Sequence, residues 1–145
     1  MDFSACILTP MDEKTARIIS EWEYPPPYDV YNFKGRQNGY LFDKAIWGTE
    51  LFALFSGDDI IGYVACQYAN NDLWVGWSFA PELCGNGNGL LFICKCMEEI
   101  QRVKQHNGPI FLKVAEWNKR AIKAYTKAGF IYVETVSDEI AYSDK

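Results

Sequence analysis

A chain of 145 residues is one domain's length, enough to bury roughly two-thirds of its unfolded surface without disulfide or metal staples. Hydrophobic residues at 49% and aromatics at 16% exclude a disordered chain and call for an aromatic core or an aromatic-lined cleft. A net charge of −5 argues against electrostatic capture of nucleic acid, which needs clustered Lys and Arg, and favours a partner of cationic character.

The opening MDFSACILTPMDEK carries an acid at position 2 and no apolar run of signal-peptide length, and nothing later reaches membrane-spanning length. A cytoplasmic protein without a membrane partner is the expectation. SACIL (4–8) reads as a strand, and Asp12 then leads a helix whose apolar positions are Ala16, Ile18, Ile19 and Trp22. Three consecutive prolines in EYPPPYDVYNF (23–33) forbid a regular helix and predict a bent aromatic connector, with one helical turn at Tyr28–Phe33. From residue 51 the period becomes strand-like. LFALFS (51–56), IIGYVACQYA (60–69) and LWVGWSFA (73–80), separated by the turns GDD and NND, predict an antiparallel meander.

Residues 87–104 predict a long helix with Leu90, Ile93, Cys94, Met97 and Ile100 on its inner face, and with Lys95, Glu98, Glu99, Gln101 and Arg102 largely elsewhere. HNGP (106–109) stops it, and IFLKVA (110–115) is a buried strand. Asn118 to Ala128 is a second helix closed by Gly129, where a left-handed residue is usual, and 130–136 with 139–143 form a final strand pair. No linker or repeat interrupts this order, so 1–145 is a single domain of mixed α/β class. The five cysteines, at 6, 66, 84, 94 and 96, contain no C-x-x-C, and His106 is the sole histidine, so no metal site is expected and the thiols read as reduced and mostly buried.

The stretch PELCGNGNGLLF (81–92) sets glycines 85, 87 and 89 at every second position before a helix. Without β-carbons, successive N–H groups can converge on one point, and the helix N-terminus adds its dipole and unpaired donors. The result is an anion cradle suited to phosphate. A Walker A loop is excluded because Gly89 is followed by Leu90 and Leu91, and a dinucleotide fingerprint fails because Leu90 stands at its sixth position.

Cys84-Gly85-Asn86-Gly87-Asn88-Gly89 resembles the pyrophosphate loop of the GNAT N-acetyltransferase superfamily, [Gln/Arg]-x-x-Gly-x-[Gly/Ala], and Asn118, Ala121, Tyr125, Gly129 and Phe130 resemble that family's C-terminal signature. The match is firm over about 50–136 and extends to 1–49 only in layout. Asn118 suits a helix cap, and Tyr125 stands two turns on, about 20° around the axis, so both face one cleft. The resemblance implies a mostly antiparallel sheet splayed between its fourth and fifth strands, with acetyl-coenzyme A in the opening. It implies pyrophosphate on 84–89, and pantetheine along Trp77, Ser78, Phe79 and Ala80, with Phe79 its main partner. It implies Tyr125 as general acid toward the departing thiolate, beside Asn118, and direct transfer to a primary amine, from a small molecule or a peptide, in a ternary complex.

Cys84 departs from the family's Gln or Arg, leaving backbone donors aided by Lys119 or Arg120. The acceptor is expected beneath the connector, where Trp22, Tyr24, Tyr28 and Tyr31 fit either an aromatic wall for a cation or ordinary cover. Glu23, Glu50, Asp72 and Glu116 are equivalent candidates for the general base, and monomer and homodimer are both compatible. A coenzyme A-binding sensor without catalysis is the alternative function.

Overall fold

The computed structural model describes residues 2–34 and 39–145. Its strands are β1 (Ile7–Pro10), β2 (Leu51–Ser56), β3 (Asp59–Ala69), β4 (Asp72–Phe79), β5 (Ile110–Ala115), β6 (Ile131–Val136) and β7 (Glu139–Ser143). Its helices are α1 (Glu13–Ser20), α2 (Gly89–Lys104) and α3 (Lys119–Lys127). The strands form one sheet in the order β1-β2-β3-β4-β5-β7-β6, antiparallel throughout except where β4 meets β5.

Turn chemistry fixes the hairpins. Asn70 and Asn71 both take positive φ between β3 and β4, and Ser137 and Asp138 do so between β6 and β7, the backbone handedness that matches strand twist in two-residue loops. Because β7 returns between β5 and β6, its register with β5 sets Ala141 opposite Lys113 and Glu139 opposite Ala115.

Two cores lie on opposite faces of the sheet. On one face, α2 and α3 cover Phe52, Leu54, Val64, Cys66, Val75 and Leu112. On the other, α1 and the connector cover Leu51 and Ala53 with Ala16, Ile19 and Leu41. Neither α1 nor the connector reaches β6, every residue of which is exposed.

Several expectations shift. Strand β1 starts at Ile7 instead of residue 4, because Cys6 N–H turns back to Phe3 C=O. Helix α1 ends before Trp22, whose N–H closes a turn on Ile19 C=O, and Ile18 is exposed while Thr15 takes an inner position. Helix α2 starts at Gly89, not 87, and buries Phe92, Ile93, Lys95, Cys96, Glu99 and Ile100, while Cys94 faces outward.

The two charged members of that inner face have partners distant in sequence. Glu99 Oε1 accepts the Leu8 N–H at 2.8 Å and pairs with Arg102 at 3.0 Å, and Lys95 Nζ donates to Ser4 C=O at 3.2 Å. These bonds hold the N-terminal strand to the central helix, so each of the two buried charged groups has hydrogen-bond partners.

Candidate active site

Strands β4 and β5 pair only from Leu73 to Val75 and from Ile110 to Leu112. Beyond that they part. The opening is a cleft of about 270 Å³ lined by Trp77, Ser78 and Phe79 of β4, by Val114 and Ala115 of β5, and by Asn118, Ala121 and Tyr125 from the following turn and helix.

The Ala80 N–H donates to Ile61 C=O at 2.8 Å. Alternation along an antiparallel ladder then gives the peptide groups of Ser78 to β3, and those of Trp77 and Phe79 to the cleft. Tyr24 verifies this alternation, since its hydroxyl donates to Phe79 C=O at 2.6 Å. The expected edge of Trp77, Ser78, Phe79 and Ala80 therefore divides. Trp77 and Phe79 present main-chain groups to the opening, Ser78 presents its side chain, bonded to the Tyr63 hydroxyl at 3.3 Å, and Ala80 is fully buried with its N–H taken.

Residues 81–91 form the adjoining lip. Cys84 turns inward, its N–H on Pro81 C=O and its thiol toward the carbonyls of Phe79 and Ala80 at 3.7 and 3.5 Å. Burial pushes that thiol above its ordinary pKa, and the Arg120 charge partly offsets the effect. A cation from α3 thus stands within electrostatic reach of the position where Gln or Arg was expected. The same guanidinium lies 4.0 Å from the centre of the Tyr28 ring.

Gly85 and Gly87 have φ of +77° and +78°, and a β-carbon at 85, 87 or 89 would meet nothing within 4 Å. Gly89 has no positive φ, so neither strain nor contact within the chain demands a missing side chain there. Asn88 precedes α2 without a side-chain cap, and among the described residues no main-chain N–H from Gly85 to Leu91 has a protein acceptor. A run of uncovered donors at the positive end of a 16-residue helix fits a diphosphate.

On α3, Asn118 accepts the Ala121 N–H at 3.2 Å, the cap expected of it, and its amide donates to the Tyr31 hydroxyl at 3.2 Å. The helix closes through Gly129 at φ +96°, with Phe130 N–H bonded to Tyr125 C=O. Tyr125 is half-buried, its ring 6.1 Å from that of Trp77. Burial pushes its hydroxyl well above the ordinary phenol pKa, while the Trp77 indole N–H opposes the shift. A phenol so placed stays protonated at neutral pH.

The connector crosses the cleft. Tyr24 and Tyr31 line it, one bonded to each lip. Trp22 does not line it and packs with the α1-side core, and Tyr28 lies outside against Trp117 at 5.8 Å. None of Glu23, Glu50, Asp72 and Glu116 lines the cleft. Glu23 pairs with Lys34 at 3.2 Å, and Asp72 opens β4 at its far end. A different carboxylate does line it, Glu139 of β7, which no local sequence signal marks because its place depends on β7 returning beside β5. No three His, Cys, Asp or Glu side chains among the described residues come together as metal ligands, and no helix there is long and apolar enough to cross a membrane.

Residues 16–130 match the model of the acetyltransferase (GNAT) family. The chain belongs to the GNAT acetyltransferase family. No curated protein sequence matches it, but solved GNAT-type structures share its fold. Spermidine N-acetyltransferase from Vibrio cholerae, solved with CoA and spermine, is 18% identical with a TM-score of 0.71, over 97% of this chain and 94% of that one. The Campylobacter jejuni N-acetyltransferase PseH, solved with acetyl coenzyme A, is 16% identical with a TM-score of 0.69, over 95% and 96%. A GNAT acetyltransferase from Bacillus anthracis is 12% identical with a TM-score of 0.72, over 99% and 96%. This GNAT protein is accordingly an acetyl-CoA-dependent N-acetyltransferase. Acetyl-CoA is the donor.

Proposed function

We propose that the enzyme transfers acetyl directly to a primary amine, from a small molecule or a peptide, with donor and acceptor bound together in the gap between β4 and β5. The observation that carries this reading is that strand pairing stops at Val75 and Leu112 while Tyr125 lines the space that opens. The donor supplies an activated acetyl thioester. The N–H groups from Gly85 to Leu91 hold its diphosphate, and Arg120 contributes charge from the side. Main-chain groups of Trp77 and Phe79 align its pantetheine arm, and an N–H there polarises the carbonyl that is attacked. Tyr125, kept protonated by burial, delivers a proton to the leaving sulfur, and Asn118 fixes the start of the helix that carries it.

The acceptor comes from the opposite side of the strands, under Tyr24 and Tyr31, whose ring faces suit an ammonium or a flat ring. An overall acidic chain and the amine acceptor of the Vibrio cholerae relative support an amine substrate. Thiol release from acetyl-CoA with a panel of polyamines, amino acids, aminoglycosides and peptides tests the reading. Release should depend on one acceptor class, and Tyr125→Phe should lower it by about 100-fold with donor affinity unchanged. Donor binding without acceptor-dependent release would instead identify a coenzyme A sensor.

A further inference from the structure

The unassigned step is removal of the acceptor's proton. An aliphatic amine is an ammonium at neutral pH, and its nitrogen attacks only after losing a proton. Among the described residues, Glu139 is the one carboxylate on the cleft lining.

Its direction follows from register. Leu112 and Val114 turn toward α2 and α3 and are buried there, so Lys113 and Ala115 turn to the opposite face, and their β7 partners Ala141 and Glu139 turn with them. Tyr125 comes from the helix-covered face. The proton donor and the carboxylate thus approach the gap from opposite faces of the sheet. The carboxylate can then reach the attacking nitrogen while the phenol reaches the leaving sulfur, two different substituents of the tetrahedral carbon through which acyl transfer passes.

Other charged and titratable groups face the same space. Lys113 of β5 is adjacent, but its ammonium sits over the Trp74 ring, 5.2 Å from the centroid. Glu134 of β6, opposite Ala141, joins Lys113, Glu139 and Ala141 around a second hollow of about 240 Å³ that shares Lys113 and Glu139 with the cleft. Tyr24, Tyr31 and Tyr125 complete the titratable lining. Glu139 is exposed, so a proton it takes passes on to water.

We propose that Glu139 docks the acceptor's ammonium and takes its proton, making it a catalytic residue of this N-acetyltransferase. In this step an N–H bond of the acceptor breaks, its electron pair stays on nitrogen, and the proton moves to a Glu139 carboxylate oxygen and then to solvent. The freed pair is the nucleophile. This assignment rests on the transfer reading above and adds the base that it lacks.

The test compares wild type with Glu139→Gln, a near-isosteric change at the exposed first residue of β7, using 1,4-diaminobutane as acceptor. At pH 7 the variant should lose about 100-fold or more in kcat/KM for the amine. The loss should shrink as pH rises past the amine's own pKa, because the substrate then arrives already deprotonated. A merely structural role would not produce that recovery. Docking is read without turnover by tryptophan fluorescence titration of the coenzyme A-bound protein with the same amine, where Glu139→Gln should weaken binding about tenfold. Equal binding by the two proteins, or none by either, overturns the assignment, as do pH profiles that superimpose. A wild type that binds acetyl-CoA but releases no thiol with any amine defeats the transfer reading instead, and the titration still judges Glu139.

Discussion

Gly87 and Gly57 offer a matched pair for testing the diphosphate cradle. Gly87 has φ +78° in the loop before α2, and Gly57 has φ +61° in the β2–β3 turn, remote from the cleft. A β-carbon at either would meet nothing within 4 Å, so alanine brings no clash, only the left-handed backbone cost of about 1–2 kcal/mol. For a domain of this size that lowers Tm by about 3–8 °C, and the two variants should melt alike. They should differ in donor binding. If the N–H groups around Gly87 grip a diphosphate, a methyl group there removes at least one charge-assisted hydrogen bond, about 1.5–3 kcal/mol, or roughly a 10- to 150-fold weaker Kd. Calorimetric titration with acetyl-CoA should show that loss in Gly87→Ala and wild-type affinity in Gly57→Ala. Equal affinity in both variants would mean that the loop does not grip the diphosphate and that the glycine serves only its own backbone angle.

Tyr24→Phe frees the Phe79 carbonyl from its 2.6 Å bond. Removing this competitor for the pantetheine edge should tighten acetyl-CoA binding about fivefold at a cost of about 1 kcal/mol in stability, and weaker binding in titration would contradict the competition. Burial pushes the Glu99 carboxyl upward, but Arg102 and the Leu8 N–H outweigh it and hold the group below its ordinary value of 4.5. A depressed folded value means that the stabilisation is complete above the unfolded pKa and is lost as pH falls through the folded one. Glu99→Gln should therefore cost about 1 kcal/mol at pH 7, with the exposed Arg102 adding little, and the deficit should be smaller at pH 3. Urea unfolding at the two pH values checks this, and an equal deficit at both would count against it.

Much of this fold was readable because its signals are local. The asparagine and Ser-Asp turns, the alternation through the meander, and Gly129 after α3 each act within a few residues. The GNAT loop and the Asn118–Phe130 signature are local too, which is why the cleft-lining Tyr125, Asn118, Trp77 and Phe79 were named from sequence. What was not readable depends on distant partners. Lys95 and Glu99 looked like solvent-facing charges because Ser4 and Leu8, which satisfy them, are both 91 residues away. Ala80 looked like cleft edge until the β3 ladder took its N–H. Trp22 continued the helical spacing, yet α1 ends before it and its ring belongs to the core. Glu139 became a candidate only once β7 was placed between β5 and β6, since strand alternation gives two faces and only register says which faces the gap.

The whole mechanism depends on donor binding where β4 and β5 part and α2 begins. Amide-resolved NMR titration of the intact protein with coenzyme A tests it most directly. The largest shift changes should fall at the amides of Trp77, Phe79 and residues 85–91, with smaller ones at Asn118 and Ala121. Changes centred elsewhere, such as the groove between α1 and the β2–β3 turn, with residues 85–91 unmoved at saturation, would contradict it.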